Sequence, residues 1–344
     1  MRTIGVVTTS RADYGIYLPL LRRLHTDPDL GLYLLVAGMH LMPEFGMTVH
    51  AIEADGFEIA ERIETPLSSD APEGITRSMG QGLIGFADTY ARLRPDILVV
   101  LGDRFEMHAA ALAALPFKIP VAHLYGGELT QGAIDDSLRH CITKLSHLHF
   151  VSTAEYARRV IQLGENPDSV VVAGALGLDN LNGIHILGPR ELEARFGLRL
   201  DSPPLLVTFH PVTLEFERTE WQARELLAAL ESSGYPVIFT LPNADTKGRT
   251  IIRLIKEYVK CHSHAQMVDN LGTQGYFSMM KVAAAMVGNS SSGILEAPSF
   301  QLPVVNIGSR QRGRLRADNV IDVGYDRNDI LAGIRRAVQP GFCE

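Results

Sequence analysis

The sequence predicts an α/β protein of two doubly wound domains, each a parallel sheet covered by helices. Three observations lead there. Short continuous apolar runs alternate with helix-length amphipathic stretches throughout the chain. A strand buried on both faces reads as such a run, and reaching the next parallel strand takes a helix. The runs number thirteen, too many for one ordinary open sheet. A stretch rich in Gly and Pro, residues 174–204, divides them into seven and six. A TIM barrel competes, but it wants eight βα units rather than two sets of about six.

In order, the first set of strands is expected at Ile4–Thr8, Leu32–Ala37, Phe57–Ile63, Ile97–Leu101, Pro120–Leu124, His149–Ser152 and Val170–Ala173. The second is expected at Leu205–Phe209, Val237–Leu241, Gln266–Val268, Ala285–Val287, Val304–Ile307 and Val320–Val323. Among the helical stretches, Met79, Leu83, Phe86, Tyr90 and Leu93 keep the three-or-four spacing of one buried face.

Composition limits the function. Over 344 residues, 32 Lys and Arg stand against 39 Asp and Glu, a net charge of −7. An unselective nucleic-acid binder needs the opposite balance. The three cysteines, Cys141, Cys261 and Cys343, are far apart and odd in number, which excludes a disulfide framework or a CxxC zinc site. His147 and His149 share a strand face without a third ligand, so no metal is expected. Only four apolar residues follow Met1-Arg2-Thr3, and no run approaches the ~18 residues of a membrane span. A cytoplasmic protein without membrane or nucleic-acid partners is expected.

The polar chemistry collects after the strands. The first half gives Thr9-Ser10-Arg11, Gly38-Met39-His40, Gly102-Asp103-Arg104 and Tyr125-Gly126-Gly127-Glu128. The second gives His210-Pro211, Pro242-Asn243-Ala244-Asp245 and Gly288 to Gly293. Ligands of open α/β sheets bind outside the carboxyl ends of the strands. The simplest arrangement is one site in a cleft between two facing domains.

Asn289-Ser290-Ser291-Ser292-Gly293 follows an apolar run and is expected to open a helix through Ile294–Phe300. Amides and hydroxyls at such a start hold phosphate, although serine also serves as a plain cap. The loop is not a Walker sequence, and no GxGxxG follows the first strand, which removes the main support for a nucleoside triphosphatase or a dehydrogenase. Arg11 and Arg104 each end a strand, where a planar guanidinium suits phosphate oxygens. Arg310, Arg312 and Arg314 follow another strand. Asp103 and Glu128 lie at strand ends, and Asp135-Asp136 opens a helix in which Asp135 and Arg139 share a face. The two aspartates serve either as a helix cap or in catalysis. Glu296 suits a ribose hydroxyl or simply the start of a helix.

Together these segments resemble the hydrolysing UDP-N-acetylglucosamine 2-epimerases of sialic-acid-type sugar synthesis. The matching stretches are Thr9-Ser10-Arg11-Ala12-Asp13-Tyr14, Gly102-Asp103-Arg104-Phe105, Gly126-Gly127-Glu128 and the run Ile134 to Lys144. They continue with His210-Pro211-Val212-Thr213, Pro242-Asn243, Asn289 to Gly293 and Gly308-Ser309-Arg310-Gln311. They follow the family's order over nearly the whole chain. The resemblance implies the GT-B architecture: a Rossmann-like domain over residues 1–175, a second, UDP-binding one over 176–325, and a last helix at about 326–344 crossing back to the first. It makes Arg11, Arg104, His210, Asn243, Ser290, Ser291, Glu296 and Arg310 nucleotide-binding, and Asp103, Asp135 and Arg139 catalytic. His40, Tyr125, Asp245 and Arg314 join the candidate binding residues, and Glu128 the catalytic ones. A homodimer or homotetramer is expected. One position departs: several members carry a glutamate immediately before Gly-Gly, where this chain has Tyr125. Either Glu128 or the Tyr125 hydroxyl then takes a proton step, or the sugar differs.

The chemistry can be argued on its own. The C2 proton of an N-acetylhexosamine is barely acidic until departure of UDP creates an oxocarbenium-like centre beside it. A carboxylate then removes it, giving a glycal, and hydration returns a proton to the other face. Two faces need two proton-transfer groups, each worth ~10²–10⁴-fold. No cofactor is required. The expected reaction is UDP-N-acetylglucosamine to N-acetylmannosamine plus UDP. The alternatives are the same reaction on a UDP-2,4-diacetamido-2,4,6-trideoxy sugar of legionaminic-acid synthesis, a non-hydrolysing epimerase, a retaining glycosyltransferase, or a UDP-sugar sensor without activity.

Overall fold

The computed structural model describes residues 1–65, 69–243 and 245–342. Cys343 lies outside them, as does Ala244 of the Pro242–Asp245 segment. The described residues hold thirteen strands in two sheets. In the first, β1 (Arg2–Thr8), β2 (Leu30–Ala37), β3 (Ile59–Ile63), β4 (Ile97–Leu101), β5 (Val121–Leu124), β6 (Leu148–Val151) and β7 (Val170–Val172) run parallel in the order β3-β2-β1-β4-β5-β6-β7. In the second, β8 (Leu205–Thr208), β9 (Val237–Thr240), β10 (Ala265–Val268), β11 (Ala285–Gly288), β12 (Val304–Ile307) and β13 (Val320–Val323) run in the order β10-β9-β8-β11-β12-β13. Each sheet reverses its strand order once, between β1 and β4 and between β8 and β11. Such a reversal opens a crevice at the carboxyl ends.

The cores explain the runs. Val6, Val7, Leu34, Val36, Leu98 and Val100 are buried in the first, and Leu205, Val207, Val237, Phe239 and Val287 in the second. Helix Pro72–Leu93 turns Phe86 and Tyr90 inward, with Leu83 and Leu93 on the same core. Burying a side chain of this size contributes about 1.5–3 kcal/mol, so these positions fix which helix faces inward.

The chain separates into two compact units. The first comprises residues 1–128 and 134–182, and the second residues 129–133 and 183–344. The last helix, Arg327–Ala337, expected to return to the first domain, packs on helix Thr219–Ser233 and on β12 and β13 of its own unit. Ile330 and Ile334 are the side chains it buries there. Among the described residues no helix is long and apolar enough to cross a membrane.

Candidate active site

In the first unit the end of β1 is organised by a buried carboxylate. Asp13 accepts from the Thr9 amide at 3.1 Å, the Thr9 hydroxyl at 2.8 Å, the Ser10 hydroxyl at 3.0 Å and the Thr8 hydroxyl. Ser10 caps helix Arg11–Thr26, so Arg11 stands half-buried at its first position. The Ser-x-x-Asp spacing is the sequence signal of such a start.

His40 adjoins this loop. It is fully buried, with Nε2 2.9 Å from the Thr8 hydroxyl and Nδ1 2.7 Å from that of Thr48. Since Thr8 gives its proton to Asp13, His40 Nε2–H donates to Thr8 and Nδ1 accepts from Thr48. Burial lowers its pKa, which favours this neutral form. Both ring nitrogens are engaged within the fold, so His40 ties the end of β1 to Thr48.

Beyond β4, Gly102 takes a left-handed conformation, φ +71°, and delivers Asp103 and Arg104. Arg104 precedes helix Phe105–Ala114 and pairs with Glu106 in its first turn, Nε to Oε2 3.1 Å, both buried. Glu106 orients Arg104 and was not anticipated. Asp103 pairs with Arg139, on helix Asp135–Leu145. The helical spacing of Asp135 and Arg139 does not announce this longer contact. Asp135 is also buried, on the first turn of the same helix.

Tyr125 leaves β5 with φ +63°, a conformation a tyrosine rarely adopts. Its hydroxyl accepts from the Gly177 amide at 3.0 Å, and Asn180 ties the same turn to the Gly15 carbonyl at 2.8 Å. Gly127 and Glu128 follow, their carbonyls held by Arg159 Nη1 and, at 3.0 Å, by Arg139 Nη1. A Cβ on Gly127 would lie 2.4 Å from the Tyr156 carbonyl, so only glycine fits there. The Glu128 carboxylate is buried and accepts from the Ser152 hydroxyl at 3.1 Å. Arg139 thus joins Asp103 at the end of β4 to the Glu128 backbone after β5, and Asp135 lies one turn before it on the same helix.

In the second unit Asn289 spans the strand-order reversal. Its Oδ1 accepts from the His210 amide at 2.7 Å, and its Nδ2 donates to the His210 carbonyl at 2.8 Å. Its own carbonyl accepts from Gln311 at 2.8 Å and Arg310 at 3.3 Å. Gly288 allows this crossing, since a Cβ there would meet the Thr208 carbonyl at 2.0 Å. The Asn243 amide donates to His210 Nδ1 at 3.4 Å. Ser290 accepts from the Ser292 amide at 3.3 Å, and the Tyr276 hydroxyl bonds to Ser290, Ser292 and Thr208. His210, Asn243, Ser290 and Arg310 therefore adjoin one another or share Asn289, and Ser291 lies within the same loop.

The expected helix is cut short. It spans only Ser292–Leu295, with Glu296 at its end and a 3-10 turn over Ala297–Phe300. Pro298 lacks the amide that continuation needs. The loop's hydroxyls, rather than a long helix dipole, are what it offers an anion. Asp245 is buried, and its carbonyl accepts from the Gly248 amide at 2.8 Å, opening helix Gly248–Cys261. Arg314 donates to the Leu129 carbonyl at 3.3 Å. Gln311 and Tyr276 bond to this loop without any sequence signal, whereas Asn289 is expected as part of the serine run.

The comparisons with known proteins bear on this arrangement. A family profile described as UDP-N-acetylglucosamine 2-epimerase matches residues 22–341. The chain belongs to the UDP-N-acetylglucosamine 2-epimerase family. Within reach of this family's name stand two relatives that align along most of the chain. The GDP/UDP-N,N'-diacetylbacillosamine 2-epimerase (hydrolyzing) of Campylobacter jejuni is 43% identical over 93% of this chain and 84% of its own. The UDP-N,N'-diacetylbacillosamine 2-epimerase (hydrolyzing) of Legionella pneumophila is 39% identical over 98% and 89%. Among solved structures, the UDP-GlcNAc 2-epimerase of Neisseria meningitidis bound to UDP-GlcNAc superposes with a TM-score of 0.82, at 18% identity, over 100% of this chain and 93% of that one. The fold of this 2-epimerase is therefore the one the sequence predicts.

Proposed function

We propose that this chain is a hydrolysing 2-epimerase of UDP-2,4-diacetamido-2,4,6-trideoxyglucose, releasing UDP and the 2-epimeric free sugar. The observation that carries the substrate is the pair of relatives, 43% and 39% identical, named for N,N'-diacetylbacillosamine, which is that diacetamido sugar. This favours it over UDP-N-acetylglucosamine, the first expectation from sequence.

In this reading His210, Asn243, Ser290, Ser291 and Arg310 hold the nucleotide and stabilise the charge on departing UDP. The C1–O bond breaks with its electron pair going to the diphosphate. The C2 proton passes to a carboxylate, leaving a C1=C2 glycal. A second group protonates C2 from the opposite face, water adds its oxygen to C1, and the surplus water proton leaves. Asp103 is the first acceptor, because Arg139 fixes it while 21% of its side chain stays open. Glu128 is the second group, because the Tyr125 oxygen already accepts from Gly177. Asp135 assists from the start of its helix, and Arg139 holds Asp103 and the Glu128 carbonyl in register.

Turnover of the two UDP-sugars side by side tests the substrate. The diacetamido sugar is expected to win in kcat/KM by about tenfold or more, a difference of ~1.4 kcal/mol at the transition state. Equal turnover, or a preference for UDP-N-acetylglucosamine, returns the assignment to the simpler sugar.

A further inference from the structure

His123 is a fully buried histidine on β5 to which the mechanism above gives no task. Its Nε2 lies 2.8 Å from the Gly102 carbonyl and its Nδ1 3.2 Å from the Thr143 hydroxyl. The geometry points to His123 as a positioning residue for the Asp103–Arg139 pair, a buried imidazole that holds the Gly102 carbonyl from one nitrogen and the Arg139 helix, through Thr143, from the other.

The hydrogen-bond directions follow from the partners. A carbonyl only accepts, so Nε2 carries the proton and Nδ1 accepts from Thr143. The Thr143 oxygen also lies 3.1 Å from the Arg139 carbonyl, so its proton is shared between the two acceptors. Gly102 is held at both of its backbone polar groups, its amide donating to the Leu124 carbonyl at 2.9 Å. With φ at +71° it is the swivel that aims Asp103, and a swivel needs a stop. The first glycine of Gly-Gly has its reason here too. A Cβ on Gly126 would come within 3.1 Å of His123 Nδ1 and 3.3 Å of the Thr143 hydroxyl.

The imidazole does this as a neutral group. Burial pushes its pKa down to about 3, Arg139 and His149 act in the same direction, and the Gly102 carbonyl and Asp103 oppose them. The contacts are thus kept across the pH range in which an enzyme works.

This role rests on the epimerase reading, and the test separates the two. Turnover and UDP affinity are measured for wild type, His123→Gln and His123→Asn, with the His123 ring nitrogens of the wild type followed by NMR. The amide of Gln reaches where Nε2 lies and keeps the Gly102 bond. That of Asn reaches only as far as Thr143. A misplacement on the order of 1 Å costs about 10²-fold, so Asn is expected to lose about that in kcat and Gln less than tenfold. UDP affinity is expected to stay within about twofold in both, and His123 to show an Nε2 proton with no titration between about pH 5 and 9. Equal losses in the two variants, a loss in UDP affinity instead of kcat, or a titrating His123 would overturn the role. Wild type that turns over while the variants rank otherwise overturns this role alone. Wild type inert toward every UDP-2-acetamido sugar overturns the epimerase reading and this role with it.

Discussion

Asp103 and Arg139, 36 residues apart in sequence, form an ion pair in which the arginine is buried and the carboxylate partly open. The pair joins the end of β4 to helix Asp135–Leu145, and Arg139 extends the link to the Glu128 carbonyl. One guanidinium therefore holds both the Asp103 carboxylate and the backbone of Glu128.

Replacing Asp103 by Asn keeps the shape and an oxygen for Arg139 but removes the base. Turnover is expected to fall by ~10²-fold or more while UDP affinity holds. Steady-state kinetics beside a UDP titration checks this. Full activity in the Asn variant would take Asp103 out of the chemistry.

Glu128 and Tyr125 compete for the role of the glutamate that several family members carry before Gly-Gly. The Tyr125 oxygen is engaged by Gly177, and a neutral phenol is a poor proton acceptor. Glu128→Gln is expected to be nearly inactive. Tyr125→Phe should keep turnover within a few-fold yet lower stability by about 1–3 kcal/mol, because it strips the partner from a buried amide. Denaturation and rate measurements on both variants decide, and the reverse ranking assigns the step to Tyr125.

Strands were the most legible part of the sequence, because continuous runs such as Ile97–Leu101 and Val304–Ile307 have no other use in a protein of this kind. The ends were less so. The apolar run predicts a strand from Phe57, but β3 starts at Ile59, and Phe57 packs edge-on against Tyr14 and His25. At the candidate site, the placement of Asp103, His210 and Ser290 just after a strand is legible in the sequence. His40 has the same placement, and its contacts with the Thr8 and Thr48 hydroxyls follow only from the fold. The contacts of Gln311 and Tyr276 depend on tertiary packing, whereas that of Glu106 with Arg104 is local and carries no motif. The helix expected after the serines stops at Leu295, because Pro298 has no amide with which to continue it.

Arg310 tests the nucleotide loop. Its Nη1 donates to the Asn289 carbonyl, so it is oriented toward the serine loop in advance. Arg310→Ala is expected to weaken UDP binding ten- to a hundredfold, the worth of a charge-assisted contact of about 1.5–3 kcal/mol. UDP affinity unchanged within about twofold by calorimetry would remove it from the site.

Gly132 offers an indirect approach to the same loop. A Cβ there would lie 2.6 Å from the Ser309 carbonyl and 2.7 Å from the Arg310 Cα. Gly132→Ala must displace that backbone, and UDP affinity is expected to drop about tenfold or more without any polar group being deleted. Wild-type affinity in this variant would show that the position of Arg310 is not critical.

Acid should destabilise the fold through its buried histidines. Burial lowers the pKa of His40, His149 and His123, the last to about 3. Above the ordinary value of 6.5 neither the folded nor the unfolded form is protonated at His123, and stability is independent of this group. Below it the unfolded chain takes up a proton that the folded one refuses, so stability falls as pH drops from 6.5 toward about 3. Urea midpoints at pH 7.5 and 5 should show the loss, and His123→Gln should lessen it by one proton's share. Equal pH dependence in the two proteins would contradict the neutral, buried assignment.

The most direct test of the account is mass spectrometry of UDP-2,4-diacetamido-2,4,6-trideoxyglucose turned over in deuterated water. Elimination and rehydration predict equimolar UDP and free 2-epimerised sugar carrying one carbon-bound deuteron at C2. A free sugar that keeps its original hydrogen at C2, or a UDP-sugar recovered intact, would contradict it.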